Sequence, residues 1–598
     1  MQDNDLRNYG ILFFIAIVLY LPNLGGTVLW DVDEAEFASC AAESLRCNDW
    51  IVPQLNGKVY GEKPILLFWF MMICYQVFGI SEFAARFPSV FFAIGSLFLT
   101  YQFGSLFFNR KVGFWAAIAL SASLMFSIEA RAATPDSPLT FFVVLSLYVW
   151  AYGTFRKNEK AEPALQLRTE DRYYPKEIWR IVAIYLVMGV GVLMKGPLAC
   201  VIPTAIIGMF LLIKRLPSLS PNMSDAPKPL LRKVGRFFYL VLRPFSPIHF
   251  LKTVWFMRPF TALLTIAVVA LPWYLLVGWK TGWFTPGGYL YNFIYVNNFQ
   301  RATTPFDGRV QFFYNPLFFY PVSILIGFFP WSIFSIPAVW ESVKQYRANT
   351  AWNDGLLFLF CWSLVWVGCF SVAATKLPSY IVPMYPAFAL LIGIYIRNWI
   401  DEKILIASGW NKIAFNIGIF VGIAMLALGT FIVAYLISTG EIFIPILLGL
   451  IMLIGCVSCL ISLKSKPSVV TLVCFTLTAM FFTGFLHIVG LDRISTYHPA
   501  REIGAAIHER QMETSDTIRV VSFRCFRQSW VYYAGRPFER VSGTAEELAT
   551  LLNQDRPEIV LVPASLAEGI PVPQGYRQKE FRDFRLPKRP RLIMFVQE

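Results

Sequence analysis

Long apolar runs separated by short polar connections occupy the first 490 residues. A helix needs about 20 apolar residues to cross a bilayer. Runs of that order fall near 9–25, 86–108, 112–128, 138–156, 178–194, 196–214, 259–279, 313–339, 355–374, 379–397, 413–436, 443–463 and 468–490. The pattern predicts a polytopic α-helical membrane protein of about 13 transmembrane helices. One further run, 64–79, holds only about sixteen residues between Lys63 and Ser81, which suits a short span or a helix lying on the membrane surface.

The charges choose between the two. With 64–79 on the surface, the basic connections all fall on one side: Asn109-Arg110-Lys111, Arg156-Lys157, Lys214-Arg215, the 215–258 stretch, Lys344 to Arg347, Arg397 to Lys403, and Lys464 to Lys466. If 64–79 crosses, that set lands outside. Basic loops stay in the cytoplasm, so the first arrangement is expected. It puts the N-terminus inside and four segments outside: 26–85, 129–137, 280–312 and the tail after 491. The membrane domain is therefore expected over 1–490, with interfacial helices in the outer loop 26–85, and a periplasmic α/β domain over 491–598. In the tail, β-rich runs occur at Ile518–Phe523, Trp530–Tyr533, Ile559–Val562 and Leu592–Val596, with helical patterns near Pro499–Gln511 and Glu546–Leu552. Thr544 and Glu547 have capping-box spacing.

Composition agrees with the pattern. The 598 residues are 56% apolar, 17% aromatic and 15% charged, with a mean hydropathy of +0.54. That excludes a soluble globular protein of this length. The net charge of +14 then reflects basic inner loops and implies no nucleic-acid partner. Cys456 and Cys459 form a C-x-x-C in an apolar run with no second pair, which argues against a zinc or redox site. Cys40 and Cys47 lie in a polar loop, where they pair if the loop is outside or remain free thiols. Arg7 precedes the first run and no small-residue cleavage site follows it, so that run reads as a retained span.

Ionisable groups beside membrane segments are candidates for function. The first outer loop carries Asp31, Asp33, Glu34 and Glu36, four acids in six residues and more than a helix N-terminus needs for its dipole. Tyr60-Gly-Glu62-Lys63-Pro64 follows. Its Glu-Lys pair is either a solvated pair at a helix entry or part of a phosphate contact. Asp136 stands before Ser-Pro between two spans, where capping the next helix is an equal alternative. Lys195, Arg301 and Lys376 are further cations at outer segments, each open to a snorkelling role. Together these acids and cations suit a charged lipid headgroup. A sugar joined through phosphate to a polyprenyl chain would need a carboxylate to deprotonate the acceptor hydroxyl and cations to hold the leaving phosphate.

Asp33-Glu34-Ala-Glu36-Phe37, Asp49-Trp50-Ile51-Val52-Pro53, Tyr60-Gly-Glu62-Lys63-Pro64, Arg86-Phe-Pro-Ser, Asp136, Lys195-Gly-Pro and Lys376-Leu-Pro-Ser-Tyr380 occur in an order that resembles the bacterial aminoarabinose transferases of lipid A. These are membrane glycosyltransferases of the GT-C type, related to protein O-mannosyltransferases, and the likeness covers about residues 7–400. It implies a 13-helix fold and sugar transfer from a polyprenyl-phosphate donor at the periplasmic face, onto a lipid, glycan or protein acceptor. By position, Asp33 would be the prime catalytic carboxylate and Asp136 a second, with Glu34 a further candidate. Lys63, Tyr60 and Tyr380 would hold the donor phosphate, joined by Lys195, Arg301 and Lys376. Two departures stand out. The family usually has Arg where Glu36 stands, and Glu-His where this chain has Asn297-Asn298. The missing His is a possible metal ligand beside Glu62, so no bound metal is expected, with divalent-metal dependence left open. Neither aminoarabinose nor lipid A follows as substrate. A lipid-linked oligosaccharide flippase or other transporter is the alternative, and would place its charges at mid-bilayer. An envelope structural subunit is a third reading.

Overall fold

The computed structural model describes residues 3–156, 173–216, 242–300, 318–373, 375–402, 407–437, 441–465, 468–514, 518–555, 557–567, 570–582 and 591–597. Arg301 lies outside them. Two antiparallel helices set the frame, α1 (Asp3–Tyr20) and α4 (Glu82–Phe107). Asp5 near the start of α1 pairs with Arg110 just past the end of α4, Nε to Oδ1 at 2.8 Å. At the other end, Arg86 in the first turns of α4 donates to the Leu24 carbonyl just beyond α1, at 2.9 Å. The intervening chain therefore starts and finishes at one end of the bundle. It holds α2 (Asp33–Arg46), the small hairpin β1 (Gln54–Leu55) and β2 (Lys58–Val59), and α3 (Leu66–Phe78). At 13 residues α3 spans about 20 Å, too short for a hydrocarbon core of about 30 Å. The run 64–79 accordingly does not cross.

The helices α5 (Arg110–Ser121), α6 (Leu124–Arg131), α7 (Asp136–Phe155), α8 (Ile178–Lys195) and α9 (Leu198–Lys214) continue the bundle. Among the described residues nine helices are long and apolar enough to cross a membrane, or eleven if each of two bent pairs is one span. Two other predicted runs hold α9, with 17 residues, and α1, whose first turns carry Asp3, Asp5 and Arg7. This is a multi-pass membrane protein.

Two runs expected as straight spans are bent, α5–α6 by 67° and Phe319–Gly327 with Trp331–Arg347 by 117°. Pro330 lies at the second break, and the two breaks serve each other: Leu124 N–H donates to the Phe329 carbonyl at 2.9 Å. Leu263, Leu264, Val268, Leu364, Phe420 and Phe481 are exposed on the outside of the bundle, as lipid contact requires. At the end away from α2, Lys111 pairs with Asp401 at 3.0 Å and Lys214 pairs with Asp354.

The tail builds a five-stranded mixed sheet in the order β4-β3-β5-β7-β6. Its strands are β3 (Val520–Phe523), β4 (Glu539–Val541), β5 (Ile559–Pro563), β6 (Tyr576–Arg582) and β7 (Arg591–Gln597). β3 runs parallel to β4 and β5, while β7 is antiparallel to β5 and β6. Val520, Ile559, Leu561 and Met594 pack with helix Ala500–Glu513 on one face; Val521, Val560 and Phe595 pack with Leu548 and Leu552 on the other. Thr544 and Glu547 form both bonds of the predicted capping box. The expected β-run Trp530–Tyr533 is instead helical, within Gln528–Ala534, ended by Gly535 at φ +67°. Tertiary packing overrides β-propensity there, because Trp530 and Val531 fill the cover of the sheet. The unforeseen strands β4 and β6 are the two edges, and β6 carries the charged sequence that suits an edge.

Candidate functional site

Asp33 is the first residue of α2, Asp136 the first of α7 and Lys195 the last of α8. All three helix ends lie at the end of the bundle that carries the first loop. Lys195 Nζ stands 2.5 Å from Asp136 Oδ1 and 5.4 Å from the centre of the Tyr380 ring. Pro135 stands at the N-cap of α7 and Asp136 is the first helical residue, so Asp136 is not its cap. The Lys63 ammonium lies 5.8 Å from the Phe37 ring on the first turns of α2. The Asp33 carboxyl feels Asp136, Lys63, Lys195 and Glu62 together. Burial among protein atoms, with Asp136 as the next cause, pushes it above the ordinary carboxylate range against the pull of the two lysines. Its side chain stays open to solvent.

Backbone geometry brings these segments close. Gly196 follows Lys195 at φ +91°, a conformation that favours glycine, and a Cβ there would sit 3.0 Å from the Phe293 ring. Tyr289 donates its hydroxyl to the Lys63 carbonyl at 2.9 Å, so the 287–297 segment closes over the Lys63 loop. Trp366 holds Tyr380 in the same way, Nε1 to the carbonyl at 2.8 Å.

The remaining acids of the first loop are tied down. Glu34 forms a two-pronged pair with Arg86, both contacts at 2.8 Å, and accepts the backbone N–H groups of Ala133 and Trp30. The guanidinium also donates to the Leu24, Thr27 and Val28 carbonyls and the Thr27 hydroxyl. Burial alone would raise the Glu34 carboxyl, but Arg86 and these donors hold it below its usual value. Glu34, expected as a further acid of the chemistry, is thus buried and bonded to Arg86, Ala133 and Trp30. Asp31 accepts Ser529 N–H and Oγ–H, each at 2.8 Å, and faces His498 Nε2 at 3.1 Å. Glu36 accepts from the Tyr60 hydroxyl at 2.5 Å and from Gln528 Nε2 at 3.3 Å. Burial, then Glu62, pushes Glu36 up to about 7. Burial and Glu36 likewise raise the Tyr60 phenol, so Tyr60 stays a neutral donor.

Lys376 is buried and donates to the Ala373 carbonyl at 2.6 Å, which commits its ammonium to its own turn. The sequence pattern passed over Glu129, buried and bonded to the Thr134 hydroxyl at 2.8 Å, which feels Asp136, Lys195 and Asp33. A buried acid inside an apolar helix was the available signal. Among the described residues no three His, Cys, Asp or Glu side chains converge to hold a metal ion.

A family model described as dolichyl-phosphate-mannose-protein mannosyltransferase matches residues 62–165. The crystal structure of ArnT from Cupriavidus metallidurans bound to undecaprenyl phosphate superposes with a TM-score of 0.69 at 16% identity, covering 98% of this chain and 97% of that one. The fold is of the GT-C type. Sequence relatives cover most of the chain. The undecaprenyl phosphate-alpha-4-amino-4-deoxy-L-arabinose arabinosyl transferase of Yersinia enterocolitica is 29% identical over 435 residues, 72% of this chain and 66% of its own length. An uncharacterized protein of Aquifex aeolicus is 24% identical over 552 residues, 92% of this chain and 91% of its own.

Proposed function

We propose that this chain is a membrane glycosyltransferase that moves a sugar from a polyprenyl-phosphate donor to a lipid, glycan or protein acceptor at the periplasmic face. Residues 1–490 would form the transferase unit with a cytoplasmic N-terminus, and 491–598 a periplasmic α/β domain, as the basic connections at the opposite end support. One observation supports the reading: Lys195 at the end of α8 pairs with Asp136 at the start of α7 at 2.5 Å, and the exposed Asp33 carboxyl lies within electrostatic reach of both and of Lys63.

In this scheme Asp33 takes the proton of the acceptor hydroxyl as its oxygen attacks the anomeric carbon. The C–O bond to the donor phosphate breaks, and the phosphate leaves with its electron pair. Lys63, Lys195 and the Tyr380 hydroxyl stabilise the charge it gains. Asp136 holds Lys195 in place. A raised Asp33 pKa makes it a stronger base than a free aspartate. The charged residues stand at helix ends, which favours transfer over passage through the bundle. Glu36 in place of the family's Arg supports a donor sugar or acceptor other than aminoarabinose and lipid A.

The test is transfer by purified protein from an undecaprenyl-phosphate-linked sugar, with Asp33→Asn alongside. Loss of transfer in a folded, inserted variant is expected. Undiminished transfer removes Asp33 from the chemistry, and donor crossing proteoliposomes without covalent change replaces the reading by transport.

A further inference from the structure

Every acid flanking Asp33 is gripped, and two of the grips come from the far end of the chain. Asp31 lies two residues before Asp33 and Glu36 three after, so the pair brackets the first turn of α2. Asp31 is held from the tail. Ser529 supplies two donors, and His498 the third contact; the Asp31 and His498 side chains are 2% and 1% exposed. Ala500 N–H donates to His498 Nδ1 at 3.4 Å, which leaves Nε2 as the protonated nitrogen facing Asp31. Gln528 supplies Nε2 to Glu36 and its carbonyl to the Ser39 hydroxyl two turns along α2. The contact continues around the loop. Tyr533 and Arg501 both donate to Glu82 at the start of α4, and Asn56 in the β1–β2 turn exchanges two bonds with the Phe538 backbone.

We infer that the C-terminal sheet domain is a working part of the site: His498, Gln528 and Ser529 are positioning residues that set Asp33 by gripping its neighbours Asp31 and Glu36. The inference rests on the transferase reading for its consequence, though the grip itself stands on geometry. An isolated turn carrying four acids repels itself, and α2 has no side-chain N-cap to define its start. Donors from the tail stabilise the Asp31 charge, Arg86 does so for Glu34, and Gln528 joins Tyr60 in fixing where the Glu36 carboxyl lies. Asp33 is left exposed, within the electrostatic reach of Lys63 and Lys195. A shift of about 1 Å in the first turn would misalign base and hydroxyl, and misplacement on that scale costs up to about 100-fold in rate.

The experiment uses the full-length protein with the variants His498→Ala, His498→Gln and Ser529→Ala. The readouts are kcat and donor KM for an undecaprenyl-phosphate-linked sugar, and hydrogen exchange of residues 30–40. His498→Ala is expected to lower kcat by about 10- to 100-fold with donor KM within about twofold, and to speed exchange of that segment. His498→Gln, which keeps an N–H within reach of Asp31, is expected to restore most of kcat. Unchanged kcat and exchange in His498→Ala, or a fall that Gln does not relieve, overturns the inference. Should His498→Ala fail to fold, Ser529→Ala decides by the same two measurements. Asp33→Asn run in parallel separates the two claims. If it transfers like wild type the chemistry assigned above fails, whereas a dead Asp33→Asn beside a fully active His498→Ala sinks only the positioning role.

Discussion

Replacing Glu34 by Gln separates a structural acid from a catalytic one. The Glu34 side chain is 7% exposed and that of Arg86 3%, and two contacts of 2.8 Å join them. Taking one charge from a buried, hydrogen-bonded pair costs about 3–5 kcal/mol, because the partner stays buried and uncompensated. Gln keeps one acceptor oxygen, and Arg86 keeps its bonds to Leu24, Thr27 and Val28, so the lower end, about 3 kcal/mol, applies. The pH dependence has a definite sign. Glu34 is held below its usual value in the folded protein, so its contribution is full above the unfolded carboxylate pKa of about 4.3 and fades as pH falls through the lower folded value. Thermal unfolding in nanodiscs should therefore show a large wild-type advantage at pH 6–7 that shrinks as pH falls below about 4.3. Transfer per folded molecule should fall far less than in Asp33→Asn. A Glu34→Gln protein as stable as wild type yet inactive would refute this reasoning and return Glu34 to the chemistry.

Two further outcomes follow from the same loop and its neighbours. Glu36 is raised to about 7, so its contribution to stability is present below about 4.3 and declines as pH rises to about 7; Glu36→Gln should flatten that part of the melting-temperature profile. Gly196→Ala, at φ +91° and against the Phe293 ring, should cost about 1–3 kcal/mol in unfolding measurements and weaken undecaprenyl phosphate binding measured by isothermal titration.

The long apolar helices were legible because each rests on a local signal, a run of apolar residues, and Asp136 and Lys195, which pair at 2.5 Å, each stand as a charge beside such a run. The partners of the other acids were not. Arg86 lies 52 positions from Glu34, and Ser529 lies 498 from Asp31, so no spacing rule distinguishes a tethered acid from an open one. Glu129 escaped notice although it sits inside an apolar helix, because its neighbour Arg131 made the segment look like a polar connection. Arg131 instead donates to the Leu19 and Tyr20 carbonyls at the end of α1. The helix at Trp530–Tyr533 was misread as a strand because its aromatic and β-branched residues answer to tertiary packing.

A structure with undecaprenyl phosphate bound tests most directly whether one pocket gathers the base and the phosphate cations. The phosphate is expected within hydrogen-bond distance, about 3 Å, of Lys63, Lys195 and the Tyr380 hydroxyl, with the Asp33 carboxylate facing the same space. Phosphate density at the opposite end of the bundle, beside Lys111 and Arg397, would contradict it.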